Sequence, residues 1–188
     1  MQKIGIYGGT FDPVHHAHLI LAREACEQFQ LEKIIFVPAA ASPQKQAPAA
    51  PAAARLQMLQ AAINRTMPFE VDDCELRRPA PSYTIDTMEE FVRRYRGNQF
   101  YYLIGDDNVG LLPTWRRFQD LQKIVTFLVL RRAENPVPHE YLSVERRIDI
   151  SSTEIRNRVA TGRPISYLVP QTVEEIIRAQ SLYREVSK

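Results

Sequence analysis

A chain of 188 residues, 45% hydrophobic and 24% charged, is sized and composed for one ordinary globular domain with a real core. Its 24 basic and 22 acidic residues leave a net charge of +2, too balanced to argue for nucleic acid or a membrane surface. Two cysteines, Cys26 and Cys74, make no disulfide framework and match no metal spacing, and no apolar run nears the roughly 20 residues that span a bilayer; a cytoplasmic protein without a secretory leader is the simplest expectation.

The chain opens as a strand, with Ile4 and Ile6 alternating with Gly5 and Tyr7. Gly8, Gly9, Thr10 and Phe11 follow, Asp12 and Pro13 mark a turn, and an amphipathic helix begins with His15 and His18 in its first turn. A buried strand, a glycine turn and a helix N-terminus make a natural anion site, because glycine lets a ligand approach the backbone and the helix's free N–H groups favour negative charge. This is the phosphate-handling end of a Rossmann-like βα unit, although the GxGxxG spacing is absent. Histidines three apart share a helix face, and both can donate to phosphate oxygens. The alternatives are that His18 packs toward the core in line with Ala22, Cys26 and Phe29, or that the pair holds zinc.

Lys33 to Val37 reads as a buried strand closed by Pro38. An Ala- and Pro-rich stretch over 39–51 reads as a mobile loop, in which Lys45 is the only charge. A helix near Pro51 carries Arg55, Met58, Leu59 and Ile63 at helical spacing. Phe69 to Val71 is expected as a short strand, continued by Cys74 to Arg77 after Asp72 and Asp73. Pro81 ends extended chain, and Ser82, Tyr83, Thr84, Ile85 and Asp86 begin a helix with Ile85, Met88, Phe91, Val92 and Tyr95 on one face. Thr84 is a candidate N-cap, and Asp86 suits the positive end of the dipole. Phe100 to Ile104 is the next strand, ending in Gly105-Asp106-Asp107. In an open α/β sheet that edge, beside the first strand, is the topological switch point where ligands bind. Trp115 either covers a helix or offers an indole face to a ring. Lys123 to Leu130 is expected as a buried strand, followed by Arg131 and Arg132, and Arg147 to Ile150 as a last short one. Ser151 and Glu154 fit a capping box, Gly162 with Pro164 ends that helix, and Pro170 begins another. Ser152 and Arg156 lie one turn apart on one face above a helix N-terminus. The expected fold is α/β: a doubly wound, Rossmann-like parallel sheet with helices on both faces, in a single domain over 1–188 with a helical portion from 151 to 188.

GGTFDPVHHAH resembles the GGTFDPxHxGH motif of the nucleotidyltransferase superfamily that carries the HxGH signature. Ala17 stands where that family has glycine, and its methyl is expected to crowd adenosine. Ser42-Pro43-Gln44-Lys45 resembles the SPxK segment of bacterial nicotinate-nucleotide adenylyltransferases, whose lysine binds phosphate, commonly after histidine; Gln44 departs from that. Arg55 and Met58 match the RxxM pattern that follows. PSYTIDT is close to the segment that receives the nicotinate carboxylate in the same family, and Asp107 to Trp115 has the family's Asp–Trp spacing. At Arg132 only the arginine of the family's Arg-Pro-Gly carries over. ISSTEIR resembles the superfamily's ISSTxIR, which grips ATP phosphates, and YLVPQTVEEIIRAQSLY resembles the family's C-terminal helix. The matches run in family order from residue 5 to about 183.

The resemblance implies transfer of AMP from ATP to nicotinate mononucleotide in one in-line displacement, giving deamido-NAD and pyrophosphate. It assigns catalysis to His15, His18 and Lys45. ATP would meet both histidines with Gly8, Gly9, Thr10, Phe11, Gly105, Ser152, Thr153 and Arg156. The mononucleotide would meet Asp12, Lys45, Ser82, Tyr83, Thr84, Asp107, Trp115 and Arg132, with Asp107 facing a ribose hydroxyl or a backbone N–H. Mg2+ would be carried with ATP, without a dedicated metal site. No nucleic acid or membrane partner is expected, and a homo-oligomer is left open. The competing readings are an adenylyltransferase for nicotinamide mononucleotide or another phosphorylated acceptor, and a catalytically weak nucleotide-binding regulatory protein.

Overall fold

The computed structural model describes residues 1–40, 47–63, 68–131 and 138–184. Six strands, β1 (Lys3–Gly9), β2 (Lys33–Pro38), β3 (Phe69–Val71), β4 (Gln99–Gly105), β5 (Thr126–Leu130) and β6 (Leu142–Val144), form one sheet in the order β3-β2-β1-β4-β5-β6. Every neighbouring pair is parallel. Parallel strands need crossovers, and helices α1 (His16–Phe29), α2 (Ala52–Ala62), α3 (Thr84–Arg94) and α4 (Phe118–Ile124), the last after a 3-10 helix over Asp106–Thr114, lie in them, while α5 (Ser152–Ala160) and α6 (Gln171–Ala179) follow the last strand. The winding reverses between β1 and β4, so Gly9 and Gly105 end side by side at one edge.

Side chains alternate across this sheet and fill two cores. On one face, Tyr7, Phe36, Leu103 and Leu128 pack with residues of α1, α2, α5 and α6. On the other, Ile6, Ile35, Tyr102 and Phe127 pack with α3 and α4. Burial on both faces explains why the central strands read as near-continuous apolar runs. In α1 the buried residues Ala17, Leu21, Ala22, Ala25 and Cys26 make one stripe, and Gln30 ends the helix in the left-handed region at φ 55°. Leu31 then donates its N–H to the Cys26 carbonyl at 3.0 Å, a helix-terminating bond. In α3, Ile85, Met88 and Phe91 are at most 1% exposed, each burial contributing about 1.5–3 kcal/mol. α6 lies on α2, where the Thr172 hydroxyl donates to the Ala61 carbonyl at 3.0 Å.

Four local expectations change. Cys74 to Arg77 is a turn, not strand: the Asp72 carboxylate takes the Cys74 N–H at 2.9 Å, and the Asp73 carbonyl takes those of Leu76 and Arg77. Lys123 to Leu130 is split, because α4 runs through Ile124 and only Thr126 onward is strand. The last strand is Leu142–Val144 rather than Arg147 to Ile150. Tyr83, not Thr84, caps α3, with Thr84 as its first helical residue. Half of the expected capping box forms at α5, where the Ser151 hydroxyl accepts the Glu154 N–H at 3.1 Å. The expected loop over 39–51 includes 41–46, outside the described residues, but its end is tied down by Asp12.

Candidate active site

A cleft of about 330 Å³ opens at the β1/β4 edge. The turn after β1 supplies Gly8, Gly9 and Thr10, the start of α3 supplies Ser82, Tyr83 and Thr84, and β4 and its 3-10 helix supply Gly105 and Trp115. Eight of the sequence-derived site residues therefore share one cavity. Glycine is required at position 8, because the Tyr102 hydroxyl occupies the space a side chain would need. At Gly105 the Asp107 carboxyl lies in that space, but as the end of an exposed side chain it can move aside. Asp107 itself is exposed and takes the Asn108 amide at 3.0 Å.

The histidines lie beside this cleft, where α1 begins. His15 caps the helix and is fully buried, and its ring stacks on that of His18 with centroids 3.6 Å apart. The His15 N–H donates to His18 Nδ1 at 3.2 Å, so the neutral His18 ring carries its proton on Nε2. Phe11 and Tyr7 flank the same ring at 5.1 and 5.8 Å. His18 is thus held by aromatic packing against Tyr7 and Phe11 and by a helix-capping bond, and is half-buried. His15 is enclosed, with its ring against that of His18.

α5 docks onto the same turn. Ser152 donates its hydroxyl to the Pro13 carbonyl at 2.9 Å, and Arg156 donates to the Asp12 carbonyl at 2.8 Å and to the Thr153 hydroxyl at 3.3 Å. Two helix N-termini, of α1 and α5, therefore meet at residues 12–13. Ser152, Thr153 and Arg156 do not line the main cleft but stand next to its phosphate end.

Three expected contacts are redirected. The Phe11 side chain turns into the core at 2% exposure, with φ 48°, leaving only its backbone for a ligand. The Asp12 carboxyl, 5% exposed, accepts Ala49 N–H at 2.7 Å, Ala50 N–H at 3.1 Å and the Tyr183 hydroxyl at 2.7 Å. It braces the turn from within and is not presented to the cleft. Ala17 is 1% exposed, so its methyl presents no surface to adenosine. Lys45 and Arg132 lie outside the described residues.

Several residues in or beside the cleft were not among the expected site residues. Arg55 is buried and donates to the Thr10 carbonyl at 2.7 Å, fixing the glycine turn; burial pulls its pKa down against the opposing pull of Asp12. Glu75 and Arg116 are the two charged residues in the lining. Arg116 stacks over Tyr83 with its guanidinium carbon 4.7 Å from the ring centroid, and pairs with Asp86 at 3.6 Å. Glu75 is 5% exposed, and burial pushes its carboxyl above the usual range. Tyr102 sits in the cleft floor, and burial likewise raises its phenol. The period-2 pattern of FYYLI does place Tyr102 on one face with Phe100 and Ile104, but not which end of that face is a cavity. Among the described residues no group of three or more His, Cys, Asp or Glu side chains is placed to hold a metal ion. No helix among them is long and apolar enough to cross a membrane.

Known proteins agree with this geometry. A family model described as cytidylyltransferase-like matches residues 6–158. A protein of Methylacidiphilum infernorum named "Probable nicotinate-nucleotide adenylyltransferase" is 44% identical, over 96% of this chain and 92% of its own length. One of Exiguobacterium sibiricum with the same name is 41% identical, over 97% and 99%. The solved structure of Plasmodium falciparum nicotinic acid mononucleotide adenylyltransferase complexed with NaAD shares the fold at TM-score 0.82 and 20% identity, covering 97% of this chain and 98% of that one. Motifs, sheet order and full-length similarity converge: the chain belongs to the cytidylyltransferase-like family, among its nicotinate-nucleotide adenylyltransferases.

Proposed function

We propose that the protein transfers AMP from ATP to nicotinate mononucleotide, forming deamido-NAD and releasing pyrophosphate. The observation that carries this reading is one cleft with two chemically different ends. The glycine turn and the nearby starts of α1 and α5 suit phosphates, while Tyr83, Thr84 and Trp115 suit a flat ring bearing an anion.

The chemistry needs little from the protein beyond placement. A phosphate oxygen of the acceptor attacks the α-phosphorus of ATP, and the bond from that phosphorus to the bridging β-oxygen breaks in line. A phosphate monoester is an adequate nucleophile, so no general base or covalent intermediate is required. Catalysis is positioning plus neutralisation of charge growing on pyrophosphate. His18 Nε2–H is the donor aimed at the triphosphate, and His15 holds that ring by stacking and through its N–H. Ser152, Thr153 and Arg156 receive the triphosphate tail, with Lys45 adding charge to the reacting groups. Gly8, Gly9, Thr10, the Phe11 backbone and Gly105 let phosphates and sugar lie close to the main chain. Ser82, Tyr83, Thr84 and Trp115 receive nicotinate, Asp107 the ribose, and Arg132 the acceptor phosphate; Asp12 acts by holding the turn. Magnesium comes with ATP, its ligands being triphosphate oxygens.

Glu75 in the cleft wall is the one observation favouring nicotinamide mononucleotide, since a carboxylate repels nicotinate. Its bond from the Thr87 hydroxyl turns it inward, however, and Arg116 faces the same cavity. The test is product analysis: the purified protein with Mg·ATP and nicotinate mononucleotide should yield equimolar deamido-NAD and pyrophosphate. No acceptor-dependent pyrophosphate would remove the reading.

A further inference from the structure

Behind the ring end of the cleft lies a buried polar pair, Glu75 and Thr87, to which the reaction scheme gives no role. The Thr87 hydroxyl donates to Glu75 at 2.6 Å. Thr87 in turn accepts from Arg78. Ser82 Oγ accepts the Ala40 N–H at 3.3 Å. Next to this cluster the Tyr102 hydroxyl stands 3.4 Å from the Thr84 hydroxyl and against Gly8, while its ring meets Trp115 edge-on with centroids 6.0 Å apart. Three separate stretches of chain converge here: the exit of β2, the turn after β3, and the start of α3. Glu75 is 5% exposed and Thr87 1%, so water does not compete for these bonds.

We propose that Glu75, with Tyr102, is a positioning and specificity-determining residue for the acceptor. Together they anchor Thr87 and Thr84, in the first turn of α3, from behind, so that the N-terminal N–H groups of α3 face the substituent on the pyridine ring. This rests on the nicotinate mononucleotide reading of the cleft. The chemistry selects a carboxyl at position 75 because a charged acceptor holds the Thr87 hydroxyl about twice as strongly as a neutral one. Thr87 spends its proton on one carboxyl oxygen, which is thereby turned toward α3. An amide oxygen at this position accepts only the weaker, neutral bond. Tyr102 performs the matching task on the β1 side, tying Thr84 to the glycine turn that meets phosphate.

The test is the steady-state kinetics of Glu75→Gln with ATP, nicotinate mononucleotide and nicotinamide mononucleotide. Weakening the bond to a buried carboxyl should raise KM for nicotinate mononucleotide about fivefold and leave KM for ATP within about twofold. The preference for nicotinate over nicotinamide should narrow, because the helix N–H groups lose their aim. A merely structural role would lower the active fraction without splitting the two KM values. Unchanged KM for the mononucleotide, or a parallel rise in both, overturns the proposal. Should Glu75→Gln not fold, Tyr102→Phe keeps the ring and deletes only the hydroxyl; it should show the same split at about threefold, and no split overturns the proposal. Wild-type turnover is the separate control: no product from nicotinate mononucleotide removes the acceptor reading and this role with it, whereas normal wild-type turnover with an unsplit variant removes this role alone.

Discussion

Tyr183→Phe tests whether the C-terminal segment braces the phosphate end. The Tyr183 hydroxyl donates to Asp12 at 2.7 Å, and Asp12 is 5% exposed with two other donors to its carboxyl among the described residues, the N–H groups of Ala49 and Ala50. Phenylalanine keeps the ring and opens no cavity, so the change isolates one hydrogen bond. A bond to a buried carboxyl is worth about 1.5–3 kcal/mol. With two donors left, about 2 kcal/mol should be lost, roughly 4–8 °C in Tm for a chain of this size. Asp12→Asn should cost more, because its N–H₂ would face one of the surrounding donors. The assay is urea and thermal unfolding followed by circular dichroism. A loss under about 0.5 kcal/mol for Tyr183→Phe, or a smaller loss for Asp12→Asn than for Tyr183→Phe, would refute the bracing argument.

Other expectations follow from the same geometry. His18→Ala should lower kcat by roughly 10²–10³, as for loss of one preorganised donor, with folding retained; an unchanged specific activity in the folded fraction would assign His18 to packing alone. Ala17→Gly should leave KM for ATP unchanged, since the methyl is enclosed, and cost about 1 kcal/mol of stability through helix propensity; a clearly lower KM would contradict the burial argument. Glu75 makes stability depend on pH. Burial raises its carboxyl above 4.5, so the folded state holds the proton more tightly and stability falls as pH climbs from that value through the raised one. The neutral side chain of Glu75→Gln lacks this loss, so wild-type Tm minus variant Tm should be larger at pH 4 than at pH 7. Thr87, Ser82 and Arg78 lower the Glu75 pKa, in that order, without cancelling the rise, and Tyr102 lies within reach of the carboxylate's charge. A difference independent of pH would mean Glu75 is solvated.

Much of the fold was legible because the central strands are buried on both faces and therefore read as apolar runs between glycine and proline signals. The β1 turn and the start of α1 were readable from GGTFDP, and the neighbouring ends of β1 and β4 from their two glycines. What stayed hidden depends on tertiary contact. Cys74 to Arg77 looked extended because its turn is made by Asp72 and Asp73, whose bonds no periodicity reveals. KIVTFLVL looked like one strand because α4 ends on a Val125 N–H bonded to Leu121, with no glycine or proline to mark the stop. Phe11 and Asp12 sit inside a ligand motif yet point inward, and Glu75 enters the cleft wall from a turn with no pattern of its own.

The account stands most directly on the acceptor. At saturating Mg·ATP, kcat/KM should favour nicotinate over nicotinamide mononucleotide by about 30- to 1000-fold, on the order of 2–4 kcal/mol, because the start of α3 offers charge-assisted hydrogen bonds to a carboxylate while an amide turns its own N–H₂ toward those donors. Equal values, or a preference for the amide, would contradict the anion-receiving reading of Tyr83 and Thr84.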